Sequence, residues 1–85
     1  MQITKEEVLL RLQAIFDEIF LDDVTVTSEL SAHDVEEWDS LLHISLVVMI
    51  EEKFNIKFRV GEVETTNNVG EFADLIVERV NGSYV

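Results

Sequence analysis

Apolar residues along this chain recur mostly three or four positions apart, and strict alternation is weak throughout, so helices dominate the reading. Val8, Leu12, Ile15, Phe16 and Ile19 follow helical spacing and predict a first helix from about Lys5 to Phe20. Lys5, Glu6, Arg11, Gln13 and Glu18 fall on its wet side. Thr4 and Glu7, in "TKEE", have the spacing of a capping box. A second helix is predicted from Ser40 to Phe54, with Asp39 as N-cap and Asn55 at its C-terminal end. Its segment "LLHISLVVMI" is apolar on nearly every side. A domain of 85 residues is too small to enclose a helix completely, so part of that surface is expected to meet a partner. Phe72, Leu75, Ile76 and Val80 predict a last helix over Val69–Val80, with Asn68 and Glu71 at N-cap and N3 spacing.

The segments between these helices differ in kind. Residues 21–39 form a long connection rich in Asp, Ser and Thr. It also carries Leu21, Val24, Val26, Leu30, Val35 and Trp38, more apolar side chains than a disordered linker needs, so an ordered loop packed across the helices is expected. In residues 56–64, Ile56, Phe58, Val60 and Val63 can pack on the core from a loop and one short helical turn. "NGSYV" reads as a frayed tail, with Gly82 beyond the last helix. The fold class is therefore all-α: a small four-helix bundle of three longer helices and one short one, with a long first loop. Residues 1–80 make the domain and 81–85 a flexible C-terminal tail.

Charge narrows the choice of partners. Six basic against eighteen acidic residues give a net charge of −12. That is the wrong sign for nucleic acid or an anionic membrane surface. It suits partners with basic patches, and it also serves solubility. There is no cysteine, hence no disulfide and no thiolate metal site. No signal peptide or membrane-spanning run is apparent, so the cytoplasm is the expected compartment.

Candidate chemistry centres on "EEWDSLLHI", residues 36–44. Ser40 and His43 stand at i and i+3, with Asp39 beside them, but a hydrolytic triad also needs a base oriented by the acid and an oxyanion hole. His43 reads instead as a surface helix residue, and His33 has no partner spacing. The acids of 17–23 and 34–39 match no calcium-loop pattern, so no metal site is expected and a solvated acidic surface is. Ser40 by local rules is a helix-start residue. The first turn of a helix also offers free backbone N–H groups and the positive end of the dipole, which suit a phosphate, while Glu36, Glu37 and Asp39 oppose one.

"WDSLLHISLVVMIEEKFNIKF" resembles the second helix of acyl carrier proteins, the phosphopantetheine-attachment family. The matching residues are Asp39, Ser40 and Leu41, then Glu51, Glu52 and Phe54. With the acidic balance, the size and the order of elements, the resemblance covers about residues 4–80. It implies a four-helix bundle with a 4'-phosphopantetheine arm, taken from coenzyme A and joined to the Ser40 hydroxyl through a phosphodiester. The arm's thiol would hold an acyl group as a thioester, and the protein would not be an enzyme. It further implies that Asp39 helps position the modifying phosphopantetheinyl transferase and that Leu41 anchors the serine turn. Leu42, Ile44 and Val48 would meet acyl-loading and acyl-transfer enzymes or the cargo, and Glu51 and Glu52 would meet their basic patches. A monomer is expected.

The chain departs from the family pattern in two places. Glu37 stands where many fatty-acid and polyketide carriers have glycine, and Leu42, His43 and Ser45 replace acids early in the helix. "EWDSL" looks more like discrete carriers of specialised pathways, such as saccharide or secondary-metabolite acylation. Trp38 reads either as a core residue of the loop or as a neighbour of the arm. An aminoacyl or peptidyl carrier shares the fold and the arm. An acidic helical adaptor with Ser40 as a mere cap is the reading from another class.

Overall fold

The computed structural model describes residues 3–59 and 61–82. Among them the chain forms α1 (Lys5–Ile19), α2 (Ser40–Phe54) and α3 (Val69–Val80), with single 3₁₀ turns at Ala32–Asp34 and Val63–Thr65. The expected short fourth helix is thus one 3₁₀ turn, at Val63–Thr65. Val60, expected on the core, and residues 83–85 of the expected tail lie outside the described residues.

The helices begin where their caps stop the preceding chain. Thr4 accepts from Glu7 N–H at 3.2 Å, Asp39 from Leu42 N–H at 2.8 Å and Asn68 from Glu71 N–H at 2.9 Å. Each such cap contributes about 1 kcal/mol. The return half of the Thr4 box is missing, because the Glu7 carboxylate pairs with Arg11 at 2.7 Å. In the first loop, the Asp34 carboxylate accepts from both Ser31 N–H (3.1 Å) and the Ser31 hydroxyl (3.3 Å). Asn55 ends α2 in the left-handed region (φ 56°), which asparagine tolerates better than most residues.

The core is one cluster. α1 contributes Val8, Leu12, Ile15 and Phe16, α2 contributes Leu46, Ile50 and Phe54, and α3 contributes Val69, Phe72, Ala73 and Ile76. α1 packs on both α2 and α3, which meet each other far less. The space left between α2 and α3 is filled partly by Phe58 and Val63 from their connection.

The first loop is bound down along its length. Gln13, placed on the wet side of α1 by periodicity, uses its amide as a peptide group: Nε2 donates to Val24 C=O at 2.7 Å and Oε1 accepts from Val26 N–H at 2.8 Å. Further on, Leu30 C=O accepts from Val69 N–H (2.7 Å) and Ser28 C=O from Gly70 N–H (2.8 Å). A Cβ at Gly70 would lie 2.8 Å from Ser28 O, so glycine is what lets the loop lie against the start of α3. At the other end, Asn81 receives the Ile3 N–H on Oδ1 (2.8 Å) and donates from Nδ2 to Ile3 C=O (3.2 Å). That ties the first residue of the expected tail to the chain's beginning.

Candidate functional site

Ser40 is the first residue of α2 and is exposed. Its hydroxyl makes no hydrogen bond to the described residues. Asp39 holds the turn behind it: the carboxylate takes Leu42 N–H, and the backbone carbonyl takes His43 N–H at 2.9 Å. The residues flanking Ser40 are therefore fixed while its hydroxyl is free.

α2 divides its apolar surface by face. Leu46, Ile50 and Phe54 point into the core, and Leu42, Val47 and Met49 lie half-buried at its margin. Leu41, Ile44 and Val48 remain 75%, 60% and 48% exposed and form one outward stripe beginning next to Ser40. Periodicity alone could not assign these faces. Glu52 is exposed, but Glu51 is half-buried and its carboxylate accepts from Phe58 N–H at 2.9 Å, so it braces the α2–α3 connection.

Glu37 and Trp38, just before the serine, are tied to α1. The Glu37 carboxylate accepts from Leu21 N–H (2.9 Å) and Asp22 N–H (3.1 Å), where the chain leaves α1. Trp38 meets Phe16 and Phe20 edge-on, with centroids 5.4 and 5.7 Å away. Its indole N–H donates to His43 Nδ1 at 3.2 Å. Of the two sequence readings of Trp38, its packing against α1 is plain. His43 differs from its expectation: it is half-buried beneath the loop rather than a surface residue. The signal available for it in sequence is its i+3 offset from Ser40, which places both on one side of the helix.

This pairing lends the hydrolase reading no support. The indole N–H can only donate, so Nδ1 holds the neutral imidazole's lone pair and Nε2 holds its proton. In that tautomer Nδ1 is taken by Trp38 and Nε2 carries a proton, while Asp39 Oδ1 accepts from Leu42 N–H. Nor do three His, Asp or Glu side chains gather into a metal site among the described residues. No helix there is long and apolar enough to cross a membrane.

A groove lined by Ala32, Trp38, Asp39, Ser40, His43, Ile44 and Glu64 opens at the serine. It shares His43, Ile44 and Glu64 with a mostly apolar groove that runs along α2 past Val47 and Val48 to Phe58 and Val63. Away from the site, Glu62 accepts from Arg59 N–H at 2.9 Å and pairs with Arg79, which also donates to Lys57 C=O. The Arg59 N–H and the Arg79 guanidinium together hold the Glu62 carboxyl below its ordinary range.

A small acidic helical bundle thus presents an exposed, unbonded serine at the start of α2, beside a mostly apolar groove. Comparison with known proteins makes the class specific. The family described as "Phosphopantetheine attachment site" matches residues 11–76. The acyl carrier protein of Cyanidium caldarium is 37% identical over 82 residues, 93% of each chain. That of Rubrobacter xylanophilus is 35% identical over 75 residues, 87% of this chain and 93% of its own. The solution structure of the holo acyl carrier protein from Geobacter metallireducens superposes with a TM-score of 0.74 at 35% identity, covering 94% of this chain and 88% of that one. The chain belongs to the phosphopantetheine-attachment family, on its acyl carrier protein branch. Its prosthetic group is 4'-phosphopantetheine. The residues fit that group: the exposed, unbonded Ser40 hydroxyl would take its phosphoryl end, and the groove beside it has room for a chain.

Proposed function

We propose that Ser40 bears the phosphopantetheine arm and that the protein carries an acyl group as a thioester between enzymes of a specialised biosynthetic pathway. The observation that carries this reading is the Ser40 hydroxyl, exposed and unbonded at the mouth of the groove. In loading, the Ser40 oxygen bonds to phosphorus, coenzyme A's nucleotide half leaves with the bridging oxygen, and the hydroxyl proton passes to the transferase. The base comes from the transferase in this reading, with His43 Nδ1 held by Trp38. The arm brings the thiol that a chain without cysteine lacks.

The chain's own residues do the positioning. Asp39 fixes the turn that presents the hydroxyl. Leu41, Ile44 and Val48 form an apolar stripe for the transferase and for acyl-handling enzymes, and Glu52 beyond it adds charge for basic patches. Leu42 supports the stripe from its half-buried position, and Glu51 holds the adjoining connection. The specialised pathway is supported by Glu37 and Trp38 before the serine and by an early α2 that carries Leu42, His43 and Ser45 in place of acids. The carrier acts as a monomer, in the cytoplasm.

Incubation with coenzyme A, magnesium and a broad-specificity phosphopantetheinyl transferase tests this reading by intact mass. The wild-type chain should gain one phosphopantetheine and Ser40→Ala none. No gain with several transferases would favour a non-carrier helical adaptor.

A further inference from the structure

His43 is the second polar residue on Ser40's side of α2. Three residues on, it lies about 4.5 Å further along the helix axis, and both side chains line the same groove. His43 also lines the apolar groove toward Phe58 and a cavity of about 120 Å³ under the first loop, bounded by Ser31, Thr66, Asn67 and Asn68. The imidazole therefore stands where these three spaces join.

Its orientation is fixed. The indole and imidazole rings lie near parallel (25°, centroids 6.1 Å apart), and the Trp38 N–H holds Nδ1. Trp38 is itself held edge-on by Phe16 and Phe20. With Nδ1 accepting, the neutral ring carries its proton on Nε2. That N–H has no acceptor among the described residues. A donor so placed, partly withdrawn from water, favours an acceptor brought in by a ligand.

We propose that His43 is a positioning residue for the prosthetic group: its Nε2–H donates to an oxygen in the phosphate-proximal part of the arm, while Trp38 sets its tautomer and ring direction. This rests on Ser40 bearing the arm. The pair steers the arm along α2 toward Val47 and Phe58.

The test uses the full chain in apo and loaded forms, with histidine and tryptophan labelled with ¹⁵N. Long-range ¹H–¹⁵N spectra should show His43 Nδ1 as acceptor in both forms. On loading, exchange of the Nε2–H with water should slow roughly tenfold, the factor one net hydrogen bond supplies. Nuclear Overhauser contacts should connect the His43 ring protons with the arm. His43→Leu should load normally and lose contacts between the arm and Ile44. His43→Gln, whose amide can accept from Trp38 and donate to the arm, should restore them. Ring nitrogens and exchange that do not change on loading would overturn the inference, as would arm contacts that persist in His43→Leu. Intact mass separates the two readings: an arm present with a silent ring refutes the role of His43 alone, and no arm at all refutes both.

Discussion

Glu37 occupies a position where many carriers of the family hold glycine, and its carboxylate takes backbone N–H groups of Leu21 and Asp22. A carboxylate on free N–H groups makes charge-assisted bonds, stronger than neutral ones. Glu37→Gln keeps an acceptor and loses the charge, so it should destabilise the fold by about 1 kcal/mol. Urea unfolding followed by the fluorescence of Trp38, the chain's one tryptophan, would measure it. A second residue-scale effect is pH-dependent. The folded state holds the Glu62 carboxyl below the ordinary glutamate value of 4.5, through Arg59 N–H first and Arg79 after it. A depressed carboxyl contributes stability that is fully present above the unfolded value and fades as pH falls through the folded one. The stability gap between the wild type and Glu62→Gln should thus be full at pH 7 and close on acidification below about 4.5. A gap that widened on acidification would contradict the Arg59–Glu62–Arg79 cluster.

At the scale of elements, the first loop and α3 meet through backbone rather than side chains. Gly70 N–H donates to Ser28 C=O, and an added Cβ would sit 2.8 Å from that same oxygen. Alanine would normally gain about 1 kcal/mol over glycine inside a helix. Here relieving the clash means moving Ser28 and breaking its hydrogen bond, at a cost of about 1–3 kcal/mol. Gly70→Ala should therefore be net destabilising, read as a lower urea midpoint with an unchanged slope. Helix positions were well legible in the sequence: Asp39–Ser40 starts α2, Asn55 ends it and Asn68 starts α3, because capping is local chemistry. The braces were not. Gln13 looks like any exposed amide until the loop lies beside it, and Glu51 looks like a free acid until Phe58 returns to it. Their partners are remote in sequence, and no local rule contains them.

For the whole molecule, the charge of −12 acts on both folding and association. The Lys5–Asp74, Arg11–Glu7 and Lys53–Glu18 ion pairs are surface contacts and contribute little. Self-repulsion among the remaining acids should dominate the response to salt. Raising ionic strength from about 0.01 to 0.15 M shortens the screening length from about 30 to 8 Å. The thermal midpoint should rise over that range while affinity for a basic partner enzyme falls, as calorimetry on the same preparation would show.

The sequence by itself determined the three helices and their N-cap residues, because period and capping are written in neighbouring residues, and its motif singled out Ser40 as the candidate attachment site. It also required that α2 could not be fully buried. Only the tertiary structure decided which side of α2 faces outward, since Leu41, Ile44 and Val48 are as apolar as Leu46 and Ile50 and only packing separates them. It likewise turned "EEW" from an odd prefix into a set of ties: Glu37 to the end of α1, and Trp38 to Phe16, Phe20 and His43. Those ties join residues up to 22 positions apart, and such contacts exist only once the chain has closed on itself.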